Sequence, residues 1–522
     1  MPSPPIPRLP LLPTELKSLI FAHLSSKSLL ALSSTCRDLH AVALPLAYAH
    51  VTLMWDDSPS QRANAPRLNL FLRTLIGNPH VARAIKRLDL RAKQCMYSDD
   101  DGRFLVTIPG LEACAPSAAE LTSFHAAIHD LGMQGVPNWD EDSEDPRGAF
   151  FLMLVLILAH CSRLEELEMS VVFVAPNTWH EWFEDLVYFS IHNGGQAQWM
   201  SNLKKFTLRC DTSAENEAKR PGFMQIDKRP LWAFYLPAVE EVVLEHFEDP
   251  VSSDEMLRHE ESPEAEDWRV HWWPWACQPM CTYPPKTYPH SSTLAPSCSY
   301  LTTLRLKRCS AEARTLELLL RYTPVLKVLE LDLFRHPYEN EFDLNVLRQA
   351  LGHVAQTLER LTVRYEVFPE TEYGEIVSDM VRVTTGRLCP LTPFAQLTDL
   401  EISLHTLFGS DDSLNNTFFP LAAVLPPKLQ ELVVTDDLYG FSDWQQYFED
   451  GDAMAMFRRY LEGGGDGEGE WRVATPELRR FVYDLRERGE YSVRYWDREE
   501  RREELMAMCK GQGLEGEVLW SY

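Results

Sequence analysis

Apolar residues in most of this chain follow one short pattern that returns many times after residue 80. An apolar residue is followed by two mostly polar residues, an apolar residue, one polar or small residue and a final apolar residue. Apolar side chains at alternate positions share one face of a strand, so the pattern predicts short strands with one buried face. The ten copies are IKRLDL at 85–90, LEELEM at 164–169, LKKFTL at 203–208, VEEVVL at 239–244, LTTLRL at 301–306, LKVLEL at 326–331, LERLTV at 358–363, LTDLEI at 397–402, LQELVV at 429–434 and LRRFVY at 478–483.

Helical patterns separate several of these copies, for example ARTLELLLRY at 313–322 and LNVLRQALGHV at 344–354. Strands that alternate with helices favour a parallel sheet covered by helices, and hence an α/β fold. The number of copies favours an irregular leucine-rich-repeat solenoid over 81–490. The copies are unevenly spaced, which predicts long insertions between some of them. A generic α/β domain with a parallel sheet is the alternative.

The N-terminal stretch LLPTELKSLIFAHLSSKSLLALSSTCRDL at 11–39 has helical spacing instead. Pro13 fits the first turn of a helix, where its missing N–H costs nothing. Ser25 and Ser26 interrupt the pattern and end this first helix. Its apolar stripe consists of Leu16, Ile20, Phe21 and Leu24.

Two more short helices are predicted after this break. Ser28 can cap the second helix, which carries three leucines, and residues 33–39 form the third. In the third helix, Cys36 and Leu39 are expected to point inward and Arg37 outward. The leucines of the second helix are Leu29, Leu30 and Leu32.

A unit of about 40 residues buries too small a fraction of its surface to be stable without a partner. Each of these helices is also shorter than the ~12–15 residues that an isolated helix needs in water. The N-terminal helices are therefore expected to pack on one another and on a second polypeptide or a neighbouring domain.

The order of apolar, proline and Cys-Arg positions in residues 9–51 resembles an F-box, with features of fungal members. The matching positions are Leu12-Pro13-x-Glu15-Leu16, Ile20-Phe21-x-x-Leu24, Leu29-Leu30-x-Leu32, Cys36-Arg37 and Leu44-Pro45-x-x-Tyr48. Lys27-Ser28 stands where that family usually has an acidic residue followed by leucine. The tryptophan common after the Cys-Arg pair is absent.

The resemblance implies a three-helix module that docks on a Skp-type adaptor and so joins a cullin-RING ubiquitin ligase of the SCF type. The chain is then a non-catalytic substrate receptor whose repeat domain binds a protein substrate. One alternative is a scaffold outside any ligase, in which the helices form a hairpin that caps the next domain and the acidic loops are the binding surface. A second alternative is a hydrolase built on an unrecognised α/β domain. The predicted adaptor-binding residues are Leu12, Pro13, Leu16, Ile20, Phe21, Leu29, Leu32 and Leu44.

Composition narrows the classes of partner. The net charge of -27 disfavours nucleic acids and anionic membranes, because both attract basic surfaces. The apolar run at 149–159 is shorter than the ~20 residues of a membrane span, so a buried helix is expected. The eleven cysteines are odd in number and scattered, and residues 1–10 do not have the pattern of a secretory signal. Both features favour the cytoplasm or the nucleus.

Three acidic insertions hold much of the negative charge, at about 137–147, 248–296 and 462–471. Runs of like charge are usually solvated. The segment HWWPWACQPMCTYPP at 271–285 carries tryptophans, prolines and a Cys-x-x-x-Cys spacing, for which surface packing is favoured over zinc. Phosphate-binding, dinucleotide, zinc-protease and hydrolase motifs are missing, so we expect no cofactor, no metal and no catalysis.

These predictions divide the chain into four parts. They are the helical module at 9–51, a connector at 52–80, the repeat region at 81–490 and a charged C-terminal helix or tail at 491–522.

Overall fold

The structure is a computed structural model of the 522-residue chain, divided into two compact units. Unit 1 comprises 1–219 and 229–239, and unit 2 comprises 220–228 and 240–522. The residues that the structure describes are 9–58, 60–61, 64–93, 96–98, 104–106, 108–109, 111, 115–131, 146–173, 200–210, 233–234, 236–246, 298–335, 341–367, 384–409, 420–437, 450–463, 469–485, 496 and 498–519.

Unit 1 begins with three short helices and continues as an α/β arrangement. A 3-10 turn at Leu9–Leu11 precedes the first helix. The elements are α1 Thr14–Phe21, α2 Ser26–Ser33, α3 Arg37–Tyr48, β1 His50–Asp56, α4 Leu68–Gly77, α5 Pro79–Ala82, β2 Arg87–Lys93, β3 Met96–Ser98, β4 Phe104–Val106, α6 Ala118–Asp130, α7 Pro146–His160, β5 Glu166–Ser170 and β6 Lys205–Arg209.

The main sheet of unit 1 is parallel, with strand order β1-β2-β5-β6. Strands β3 and β4 form a separate antiparallel hairpin. Helix α7 contains the apolar run 149–159, in which every side chain is buried, and it packs against α4 and α6. A helix that is apolar on all sides is stable only inside a core, so the buried-helix prediction is confirmed. In the described part of the chain, no helix combines the length and the apolar character that a membrane crossing requires.

Unit 2 continues the same arrangement of strands and helices. Its elements are β7 Glu241–Glu245, β8 Thr303–Cys309, α8 Ala313–Arg321, β9 Val328–Arg335, β10 Phe342–Asp343, α9 Leu344–Gly352, β11 Arg360–Val367, β12 Thr384–Thr385, β13 Asp399–Ser403, α10 Leu404–Phe408, α11 Leu421–Val424, β14 Glu431–Thr435, α12 Asp450–Glu462, α13 Trp471–Ala474, β15 Arg480–Asp484, α14 Glu499–Gly511 and β16 Glu515–Leu519.

The main sheet of unit 2 is also parallel, and its strand order is β7-β8-β9-β11-β13-β14-β15-β16. Each strand therefore pairs with the next main strand along the chain. The backbone connection repeats as well: the carbonyl oxygen of Lys327 accepts the N–H groups of Glu359 and Arg360, and that of Glu359 accepts those of Thr398 and Asp399. The same step recurs at each pair from Glu240 to Gln430, and at the last pair the carbonyl oxygen of Arg479 accepts the N–H of Glu515 alone.

All ten strand predictions are confirmed, and each strand begins at the third residue of its sequence copy. In LKVLEL, for example, Leu326, Leu329 and Leu331 are fully buried, whereas Glu330 points away from the core and stays partly exposed. The three apolar positions of every copy are buried in the same way. One apolar face thus packs under the helices, and the polar positions form the opposite, outward face of the sheet.

Among the described strands of the two main sheets, two lie outside the ten copies. Strand β1 precedes the first copy and pairs in register with β2. Strand β16 follows the last copy and lies in the predicted tail, where it pairs with β15. The C-terminal helix α14 packs on β16 and buries Leu505, Met508 and Cys509.

The helical boundaries of the module differ from the predictions in two places. Ser25, not Ser28, caps α2, because the Ser25 hydroxyl accepts the backbone N–H of Ser28. The third helix starts at Arg37 and extends to Tyr48, well beyond 39. Cys36 is an exposed, extended residue before that helix, so its predicted inward position is wrong.

The acidic insertions and the segment 271–285 fall largely outside the described residues. This applies to the acidic residues of 137–147, to all of 248–296 and to 464–468 of the third insertion. The predictions for these segments stay predictions.

Candidate functional site

The three N-terminal helices pack around a small apolar core. Helices α1 and α2 both contact α3, which is the longest of the three. The spacing of Leu39, Ala43 and Ala47 puts one residue per turn on the buried side of α3. The fully buried core cluster is Phe21, Leu29, Leu39, Ala43 and Ala47, with Leu9, Leu32, Val42, Leu46 and Tyr48 partly buried against it.

The module also leaves large apolar side chains exposed to water. On α1, Lys17 and Phe21 face inward, whereas Leu16, Leu19 and Ile20 lie on the other face at i, i+3 and i+4. We name these exposed residues of the module the outer apolar set. Its members and their exposed fractions are Leu11 78%, Leu16 47%, Leu19 64%, Ile20 45%, Leu24 36% and Leu30 44%.

Six large aliphatic side chains exposed within 20 residues are unusual for a soluble surface, where such residues normally occur singly. Burial of the part of each side chain that is still exposed would contribute about 0.5–2 kcal/mol, so these residues favour contact with a second apolar surface. Between Leu24 and Leu30, the chain is fixed by the Ser25 cap. Hydroxyl groups of Ser33, Ser34 and Thr35 bond the carbonyls at the end of α2 at 2.7–2.8 Å.

The predicted adaptor-binding residues separate into three groups. Pro13, Leu16 and Ile20 are exposed, and Leu12, Leu32 and Leu44 are half-buried. Phe21 and Leu29 are 0% and 4% exposed, so we reassign them from the docking surface to the core. Sequence analysis did not include Leu11, Leu19, Leu24 and Leu30 among the docking residues, although the i, i+3, i+4 spacing of Leu16, Leu19 and Ile20 could have indicated a second apolar face.

The outward face of the unit 1 sheet carries a dense ion-pair network. The buried Asp89 carboxylate accepts hydrogen bonds from His50 and Arg87, both at 2.8 Å. Burial raises the pKa of Asp89, but these hydrogen bonds outweigh burial and hold it below its usual value. Glu168 pairs with Arg91 at 2.9 Å and with Arg209 at 3.2 Å. These pairs link β1, β2, β5 and β6 across the sheet.

The outward face of unit 2 has similar pairs. Arg364 pairs with Glu401 and, at 3.5 Å, with Asp484. Arg480 pairs with Glu431 and Glu517, both at 2.6 Å. These pairs join β11 to β13 and β15, and β15 to β14 and β16, so this face offers a defined pattern of polar groups.

Several potentially reactive groups are instead buried in states unsuited to chemistry. Burial lowers the pKa of His405 to about 4 and raises that of Cys161 to about 12. The imidazole is therefore neutral and the thiol protonated at neutral pH, and a protonated thiol is a poor nucleophile. Within the described ranges, no three His, Cys, Asp or Glu residues lie close enough together to hold a metal ion.

Comparison with known proteins gives a family match for the helical module alone. The model of the family described as F-box-like matches residues 9–53. A search of curated proteins finds no match to the chain. Among solved structures, the chain is similar to "Crystal structure of Rad7 and Elc1 complex in yeast", with 9% identity, a TM-score of 0.29 and coverage of 92% of this chain and 90% of that one. That likeness is too weak to support an argument about fold or function. Residues 9–53, with three helices around a common core and an apolar outer side, are thus an F-box-like domain.

Proposed function

We propose that this protein is the substrate-recognition subunit of an SCF-type, cullin-RING ubiquitin ligase. In this proposal, the F-box-like domain binds a Skp-type adaptor, and the adaptor joins the chain to a cullin. The sheet units bind a protein substrate, and other subunits transfer ubiquitin. The chain itself is not an enzyme, and it works in the cytoplasm or the nucleus.

The observation that carries this proposal is the outer apolar set, which lies on the F-box-like domain and faces away from its core. These exposed residues do not belong to the core cluster around which the three helices pack. A partner that covers them gains apolar burial without unfolding the module. The family match to residues 9–53 makes a Skp-type adaptor the natural partner.

The repeated strand geometry supports interpreting both sheet units as a leucine-rich-repeat solenoid. One motif gives one strand, consecutive strands are neighbours, and the same carbonyl step joins them. Repeat folds bind partners through the outward side of their strands and through loops. The ion-paired outward faces of the two units are therefore the surfaces on which we place substrate contacts.

The mechanism is proximity. A substrate held by the same chain as the adaptor experiences a high effective concentration of the ubiquitin-loaded enzyme. This role needs binding surfaces for the adaptor and the substrate, and no catalytic group on the receptor.

The test is co-expression of the tagged full chain with a recombinant Skp-type adaptor and a cullin. The variant carries Pro13→Ala with Ile20→Asp, two exposed positions whose replacement leaves the core cluster intact. The matched control is Val473→Asp, which places the same charge at an apolar residue of unit 2 that is 89% exposed.

We expect wild type and Val473→Asp to retain stoichiometric adaptor and cullin, and the double variant to lose both while remaining folded by circular dichroism. Adaptor binding by the double variant would disprove the docking surface. A wild-type chain that binds neither protein would instead support the scaffold function outside a ligase.

A further inference from the structure

Strand β16 is an edge of the main sheet in unit 2. It pairs with β15 on one side, and among the described residues no strand pairs with its other side. Every residue of β16 is at least partly exposed, whereas four of the five residues of β15 are buried. Edge strands are commonly protected by lysine or proline, and β16 contains neither. An open edge of this kind can pair with the backbone of another chain.

The backbone of β16 shows which groups this edge offers. The N–H of Glu515 bonds to the carbonyl oxygen of Arg479, on the side of β15. Because the backbone groups of successive residues point to opposite sides of a strand, those of Gly516 and Val518 point to the open edge. In the part of the chain that the structure describes, these N–H and C=O groups form no hydrogen bond. They are two donors and two acceptors for an added strand.

The side chains beside this edge carry more carboxylates than cations. Arg480 of β15 pairs with Glu431 and Glu517, both at 2.6 Å, and its Nε lies 3.9 Å from Glu515. One guanidinium group is therefore shared by three carboxylates. The side chains of Glu515 and Glu517 are 74% and 42% exposed, so cations of a partner can reach both.

An added strand would place its side chains in two rows. One row lies about 4.8 Å from Glu515, Glu517 and Leu519 on the outward face, where lysine or arginine would meet the first two and an apolar residue the third. The other row lies beside Gly516 and Val518 on the inner face, where apolar residues fit. A second copy of β16 would bring its own glutamates, and like charges on neighbouring strands repel. The charges therefore favour a basic segment over self-pairing.

We propose that β16 binds an extended segment of a partner protein that has lysine or arginine at alternate positions, and that this segment joins the sheet as a further strand. The inference goes beyond the proposed function, because the edge binds such a segment whether or not the chain belongs to a ligase. Backbone pairing supplies affinity in this mode of recognition, and the alternate side chains supply specificity.

The test measures binding of fluorescent peptides to the full chain by anisotropy at 50 and 500 mM NaCl, since salt screens exposed charges. The first peptide has Lys-Val-Lys-Val-Leu at its centre. The second has glutamate in place of both lysines. The third is the lysine peptide with its central amides N-methylated, which removes the donors that pair with an edge strand.

Two variants test the two features of the edge separately. Glu515→Lys reverses the most exposed charge, and Glu341→Lys is its matched control, since Glu341 is an exposed residue of unit 2 that precedes β10. Val518→Pro removes an N–H from the open edge without removing a bond to β15, and proline is tolerated at such edge positions.

We expect saturable binding of the lysine peptide, and binding at least about 10-fold weaker for the glutamate and the methylated peptides. Glu515→Lys should weaken binding of the lysine peptide roughly 3- to 10-fold at low salt and strengthen binding of the glutamate peptide, whereas Glu341→Lys should change either by less than about 2-fold. High salt should narrow these differences. Val518→Pro should weaken binding of the lysine peptide. A purely structural role for Glu515 would not reverse the preference between the two peptides.

No binding of the lysine peptide, or equal binding of the lysine and glutamate peptides, would disprove the basic occupant. Equal binding of the methylated peptide would disprove strand pairing, and this result decides alone if Val518→Pro does not fold. A wild-type dimer in sedimentation that Val518→Pro abolishes would show that a second copy occupies the edge, and would also overturn the inference. Adaptor binding is measured alongside and should be equal in all folded variants, so failure here leaves the proposed function intact.

Discussion

Substitutions on the buried and on the exposed face of α1 are expected to have different effects on folding. Phe21 is fully buried in the core cluster, whereas Leu19, two residues earlier, is 64% exposed. Replacing each with alanine therefore separates the role of α1 in folding from its role in binding. Alanine is a strong helix former, so neither change opposes the helix itself.

The magnitudes follow from burial. Truncating a buried phenylalanine to alanine costs about 3–5 kcal/mol, since it removes apolar burial and leaves a cavity. Leu19 keeps about a third of its surface buried, so Leu19→Ala should cost about 0.5–1 kcal/mol. A domain of this size typically has a stability of roughly 2–7 kcal/mol, so Phe21→Ala removes most of it.

Hydrogen exchange on the full chain measures this difference directly. Peptides from 14–48 should exchange roughly 100-fold or more faster in Phe21→Ala, and no more than about 5-fold faster in Leu19→Ala. The faster exchange should extend to α3, because Leu39 and Ala43 lie across the core from Phe21. Peptides from unit 2 serve as the internal control.

Both variants should bind the adaptor more weakly, for different reasons. Leu19→Ala removes a contact from a folded surface, and Phe21→Ala removes the fold that presents the surface. Equal protection of α3 in the two variants would refute the assignment of faces, as would faster exchange in Leu19→Ala than in Phe21→Ala.

Two further predictions concern unit 2. In urea denaturation of the full chain, Leu331→Ala should lower the free energy of unfolding by about 2–5 kcal/mol. Glu330→Ala, at the neighbouring outward position, should lower it by less than about 1 kcal/mol. Losses of similar size in the two variants would contradict the assigned strand faces. Burial raises the pKa of Asp437 to about 6, although hydrogen bonds from the Thr435 side chain and the Tyr365 N–H act to lower it. Between pH ~4 and 6 the folded state therefore holds a proton on this carboxyl that the unfolded chain releases. The contribution of Asp437 to stability therefore falls as the pH rises from about 4 to 6 and is constant above that range. Asp437→Asn should abolish this fall. The difference between the thermal midpoints at pH 5 and pH 7.5 should then be smaller in the variant than in wild type. An unchanged difference would show that Asp437 is ionised throughout.

Sequence periodicity alone determined most of the sheet. A strand with one buried face requires apolar residues at alternate positions, and all ten copies have apolar side chains at those positions. Strand β1 carries the same signal in Tyr48-Ala49-His50-Val51-Thr52-Leu53, but its first residue also ends α3. The pattern thus belongs to two elements at once.

Strand β16 could not be found in this way, because its equivalent stretch begins Gly513-Leu514-Glu515-Gly516. Glycines stand at two positions where the other copies have apolar side chains. At Gly516, an added Cβ would lie 2.6 Å from the Cβ of Cys509, so the close approach of α14 excludes a side chain. The packing of that helix, which no local pattern reveals, decides the residue type.

The candidate site shows the same division. The sequence determined that residues 9–51 form three short helices with more apolar surface than their own core can use. It could not assign Phe21 to the core and Ile20 to the surface, because α1 is apolar on two faces and periodicity identifies faces without saying which one meets a neighbour. That assignment depends on where α3 packs, and so only the tertiary structure could make it.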